Sequence, residues 1–101
     1  MDSRSLIFVV LAACSGPNPT VHNATASPSP RPGATRVSLD IENRGGKGTV
    51  DVKIELRDAG GHVIRADETV EVQKKQTVHF EKDITTPPGS YTVAATAEYP
   101  D

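Results

Sequence analysis

Tryptophan is absent from this 101-residue chain, and two Phe and two Tyr are its only aromatics. A core must therefore rest on aliphatic side chains, and rings for stacking on bases or sugars are scarce. The single cysteine excludes an intrachain disulfide framework and a cysteine-based zinc knuckle. With a formal net charge of −2 there is no basic stripe of the kind that holds nucleic acid. No apolar run approaches the roughly 20 residues of a membrane span. The length allows one small domain, near the lower limit for a self-sufficient core. What is plentiful is punctuation. Eight Gly and eight Pro imply turns that join many short strands.

Behind a start containing Asp2 and Arg4, Leu6-Ile7-Phe8-Val9-Val10-Leu11 form an apolar run that continues through Ala12 and Ala13 to Cys14. A charged start, a short apolar region and small residues before a break describe a secretory signal peptide. Ile7 to Val10 would also suit a buried strand. Their place at the start of the chain, and the switch to Ser15-Gly16-Pro17-Asn18-Pro19, favour the signal. Leu11-Ala12-Ala13-Cys14 resembles the lipobox of prokaryotic lipoproteins. That resemblance implies cleavage between Ala13 and Cys14 and a diacylglycerol in thioether linkage on Cys14. Two acyl chains suffice for stable anchoring, since each buried methylene contributes about 0.8 kcal/mol. The expected organisation is a signal peptide at 1–13, a lipidated Cys14 with a flexible tether to residue 19, and a domain at 20–101. Gly16, Pro17 and Pro19 deny the tether both helix and ladder pairing.

From Thr35 onward the chain alternates with period two. Val37, Leu39 and Ile41 share one face against Ser38, Asp40 and Glu42; Val50, Val52, Ile54 and Leu56 share one against Asp51, Lys53, Glu55 and Arg57. Val78 and Phe80 repeat the pattern, as do Tyr91, Val93, Ala95, Ala97 and Tyr99. A helical period would scatter these charges around all sides, so strands with one dry and one wet face are expected. Residues 63–66 and 69–72 read as two shorter strands around a bend at Asp67-Glu68, and 20–26 as an additional first strand. The run Asn43-Arg44-Gly45-Gly46-Lys47-Gly48 reads as a hairpin turn, and Lys74-Lys75-Gln76 and Thr86-Pro87-Pro88-Gly89 as further turns. Strands spaced by such turns indicate an all-β antiparallel sandwich. The expected core is Val37, Leu39, Ile41, Val52, Ile54, Leu56, Val78, Phe80, Tyr91 and Val93.

Pro88-Gly89-Ser90-Tyr91-Thr92-Val93 resembles the turn-into-strand segment of immunoglobulin-like domains, where a Tyr bonds back to the upstream backbone as a tyrosine corner. Asp40-Ile41-Glu42-Asn43-Arg44-Gly45 resembles the V-x-N-x-G strand and turn of CARDB-like (cell-adhesion-related, immunoglobulin-like) domains. A Val-rich strand follows it, like 50–56, and the P-G-x-Y-x-V element comes later. The resemblance covers roughly 20–99. It implies an immunoglobulin-like sandwich of about six to seven strands, six if the last is absent, because Asp101 closes the chain where a further strand normally follows.

His22, His62 and His79 fall in different segments with no i, i+2 or i, i+4 spacing, so a metal site is not expected. Asp40, Glu42, Asp51 and Glu55 alternate with core residues and read as a solvated face. There is no G-x-S-x-G, and Gly45-Gly46-Lys47-Gly48 lacks P-loop spacing. The chain reads as non-enzymatic, with no cofactor. Its expected role is that of a cell-envelope lipoprotein facing the periplasm or exterior, whose sandwich binds a protein or a cell-surface polymer. The alternatives are a small-ligand or metal-binding accessory using His and carboxylates on the wet faces, or a structural spacer. An unpaired edge along 92–98 offers self-association by strand addition, unless residues 20–26 pair there.

Overall fold

The structure, a computed structural model, describes residues 16–99. The expected signal peptide at 1–13, with its cleavage site at Ala13, and the expected lipidation site Cys14 lie outside the described residues. Six strands follow one another: β1 (Pro19–Pro28), β2 (Ala34–Asn43), β3 (Gly48–Asp58), β4 (Val63–Val72), β5 (Thr77–Thr85) and β6 (Tyr91–Glu98). All pairings are antiparallel, and they form two three-stranded sheets in the orders β1-β2-β5 and β4-β3-β6. This is the expected all-β sandwich.

The central strands carry most of the core because both of their edges are paired and one face is covered by the opposite sheet. Strand β2 alternates strictly between buried and half-buried positions, placing Val37, Leu39 and Ile41 inside. Strand β3 adds Val50, Val52, Ile54 and Leu56, and Val72 and Ile84 complete the buried aliphatic core. Val78, Phe80, Tyr91 and Val93, expected in the core, are half-buried against its flank, since they stand on edge strands. Tyr99, expected on the dry phase, is 41% exposed.

Two expectations about the connections are corrected. The chain at 44–47 is not a hairpin turn: β2 and β3 belong to different sheets, so it arches over the end of the sandwich. Residues 63–72 form one continuous strand paired with β3 from Arg57↔Val63 to Gly48↔Val72, without a bend at Asp67-Glu68. Glu68 misled the reading because it lies opposite Val52, on the inward phase. Lys82 does the same on β5, opposite Val37. The two meet at 2.9 Å and bridge the sheets where β4 and β5 face each other.

The other flank is closed differently. Strand β1 presents Val21, Ala24 and Ala26 inward, and β6 presents Val93, Ala95 and Ala97. These short side chains let the two strands lie alongside each other across the sheets. Strand β1 pairs with β2, so the N-terminal strand flanks β6 without adding to its ladder, and β6 is hydrogen-bonded only to β3.

Candidate functional site

Two assemblies of polar side chains stand out, one at the end of the sandwich and one on a sheet face. The first is organised by Asn43, the last residue of β2, which is 2% exposed. Its Oδ1 accepts from the backbone N–H of Asn18 (2.9 Å) and of Gly45 (3.0 Å). Its Nδ2 donates to the carbonyls of Gly46 (2.9 Å) and Gln73 (2.7 Å). Both donors and both acceptor positions are thus used, as a buried amide requires. One side chain ties the incoming N-terminal segment to the β2–β3 arch and to the β4–β5 turn. Backbone bonds reinforce it: Arg44 N–H to Asn18 O (3.1 Å), Gly46 N–H to Gly16 O (3.2 Å) and Lys75 N–H to Gly45 O (3.1 Å).

Glycine makes this crossing possible. A Cβ on Gly45 would collide with the Gly16 carbonyl and the Asn18 nitrogen, and one on Gly16 would enter the Tyr99 ring. Residues 16–18 therefore run in a slot between Tyr99 and the arch, and Pro17 is buried there. A flexible, solvated tether reaching residue 19 is corrected for this stretch. It is bonded into the domain, and β1 already begins at Pro19.

The second assembly lies on the outer face of the first sheet. Register places His22, Asp40 and His79 in one row across β1, β2 and β5. His79 Nδ1 meets Asp40 Oδ1 at 2.8 Å, and its Nε2 is 3.4 Å from Glu81. Asn23 donates to the other Asp40 oxygen (3.1 Å) from a bulge in β1, where Asn23 and Ala24 stand opposite Leu39 alone. Asn23 holds the left-handed conformation (φ 56°), which Asn tolerates better than most residues, and the bulge aims its amide along the face. His22 turns instead to Glu42 (2.8 Å), which also receives Arg44. Hydrogen bonds to the carboxylates of Asp40 and then Glu81 raise the His79 pKa, while those received from His79 and Asn23 lower that of Asp40. As they stand the rings face separate carboxylates. Among the described residues no group of three His, Cys, Asp or Glu is arranged to hold a metal ion.

Of the residues singled out in the sequence, His62 lies in a separate turn capped by Asp58, whose Oδ1 accepts from the backbone N–H of Gly60 and of His62 and whose Oδ2 is 3.3 Å from the His62 ring. Tyr91 does what its resemblance implied: its hydroxyl donates to the Pro87 carbonyl at 2.8 Å. Histidine spacing along the chain missed the His22–Asp40–His79 row, because its members come from three strands. Comparison with protein-family models and with curated proteins returns no match.

Proposed function

We propose that the protein is a non-enzymatic lipoprotein of the cell envelope, anchored through Cys14, whose β-sandwich is a binding module for a protein or a cell-surface polymer. The observation that carries this reading is the built-in entry of residues 16–18. The lipobox-like Leu11-Ala12-Ala13-Cys14 ends two residues before a segment fastened to one end of the domain. Such an arrangement would hold the sandwich in a defined pose, with its outer faces and the loops at its opposite end turned away from the anchor. Asn43, Gly45 and Tyr91, which carry the resemblance to CARDB-like domains, have definite structural tasks here, and that favours a domain of this kind. The test is mass analysis of the membrane-extracted chain together with Cys14→Ser. The wild type should carry diacylglycerol on Cys14, and the variant should be soluble or remain as uncleaved precursor. A variant cleaved after Ala13 that still partitions with membranes like the wild type refutes the anchor.

A further inference from the structure

Charge is unevenly placed between the two ends of the sandwich. At the end where residues 16–18 enter, loops 44–47 and 73–76 carry Arg44, Lys47, Lys74 and Lys75 and no Asp or Glu. At the opposite end, loops 29–33, 59–62 and 86–90 hold Arg31 and His62 as their only basic side chains. The four cations of the first end are all exposed. The carboxylates nearest to them in the chain, Glu42, Asp51 and Glu71, lie within strands, as does Glu98 at the end of β6. Glu42 holds Arg44 at 3.2 Å, and Glu98 faces Lys53 at 3.7 Å. Beyond Arg44, the charge carried by the two loops themselves is that of Lys47, Lys74 and Lys75, all positive and all exposed.

The two basic loops are also fixed side by side. Asn43 Nδ2 bridges the Gly46 and Gln73 carbonyls, and Lys75 N–H bonds to Gly45 O. Lys75 sits at φ 57°, a left-handed conformation that Gly or Asn adopts at lower cost, so the turn keeps a lysine where a glycine would be less strained.

Cys14 precedes Gly16 by two residues, which span at most about 7 Å of chain. An anchored Cys14 would bring this end to the bilayer surface, within the Debye length of about 8–10 Å over which headgroup charge is felt. We propose that the end bearing Lys47, Lys74 and Lys75 is a docking surface for the anionic headgroups of the membrane that holds the protein. The position of this surface rests on anchoring at Cys14, and the lysines supply the electrostatic signal that complements the acyl chains.

The experiment separates the two claims. The full chain carrying Cys14→Ser is sedimented with vesicles of phosphatidylcholine alone and with vesicles containing about one-third phosphatidylglycerol, so that the lysines act without an acyl anchor. Its binding should show an excess for the anionic vesicles that disappears at high salt. Adding Lys47→Gln, Lys74→Gln and Lys75→Gln should lower the excess roughly 100-fold, at about 5-fold per cation. Adding Arg57→Gln and Arg65→Gln instead, on the outer face of the second sheet, should change it by less than about 2-fold. All these side chains are exposed, so the variants should keep the β-rich circular dichroism of the parent. No anionic excess, or an equal loss in the Arg57, Arg65 variant, overturns the docking surface. An unmodified Cys14 in the membrane-extracted wild type overturns the anchor, whichever way the vesicles respond.

Discussion

Replacing Asn43 by Ala removes a side chain that is 2% exposed and makes four hydrogen bonds, at 2.7 to 3.0 Å, to three chain segments. Two N–H groups and two carbonyls lose their partner at once. Each bond contributes about 0.5–1.5 kcal/mol net, and all four sit where water has partial access, so the lower part of that range applies. The expected loss is about 3 kcal/mol. A domain of this size is stable by roughly 5–15 kcal/mol in total, and the melting temperature should fall by roughly 12–24 °C. Urea unfolding followed by far-ultraviolet circular dichroism measures the loss, with m unchanged if only native contacts are removed. Asn43→Asp sharpens the test. It keeps the acceptors for Asn18 and Gly45 but turns a carboxylate oxygen toward the Gly46 and Gln73 carbonyls. At neutral pH it should be at least as damaging as Ala, and it should recover partly in acid, where a protonated carboxyl can donate again. An Asn43→Ala variant within about 0.5 kcal/mol of the wild type would refute the hub, since that is the range of ordinary surface substitutions.

The His79–Asp40 pair should make stability depend on pH. A raised His79 pKa gives stabilisation that is complete below the ordinary value near 6.5 and is lost as pH rises through the raised value, while the lowered Asp40 pKa gives stabilisation lost as pH falls through it. His79→Gln should therefore cost stability between about pH 4 and 6.5 and little above pH 8; urea midpoints offset equally at pH 5 and pH 8.5 would contradict this. Lys82→Leu should change stability by under about 1 kcal/mol, because the pair with Glu68 is partly exposed, at 43% and 26%. It should nevertheless promote concentration-dependent association in sedimentation, since an inward charge on an edge strand opposes strand addition. A variant that stays monomeric at the highest attainable concentration would show that Lys82 does not protect the edge.

How much of this was legible in the chain depends on how far apart the deciding residues are. Strand identity in β2 and β3 follows from alternation alone, because successive side chains point to opposite faces and each residue's role is set by its immediate neighbours. Tyr91 was readable for the same reason, its partner lying four residues upstream. The reading failed where a charge occupies the inward phase. Glu68 interrupts the alternation of β4 and Lys82 that of β5, because each places a charge on the inward phase, where it meets the other across the sheets. Three further features belong to tertiary structure alone. The arch at 44–47 takes the place of a hairpin because β2 and β3 bury their dry faces against each other from opposite sheets. Two of the four partners of Asn43, Asn18 and Gln73, lie 25 and 30 residues away, and the row His22–Asp40–His79 is drawn from three strands. The period of the sequence could say that each strand has an inner face. Which strands share a sheet, and which loops meet at its end, was decided by burying those faces together and by satisfying the polar groups that burial stranded.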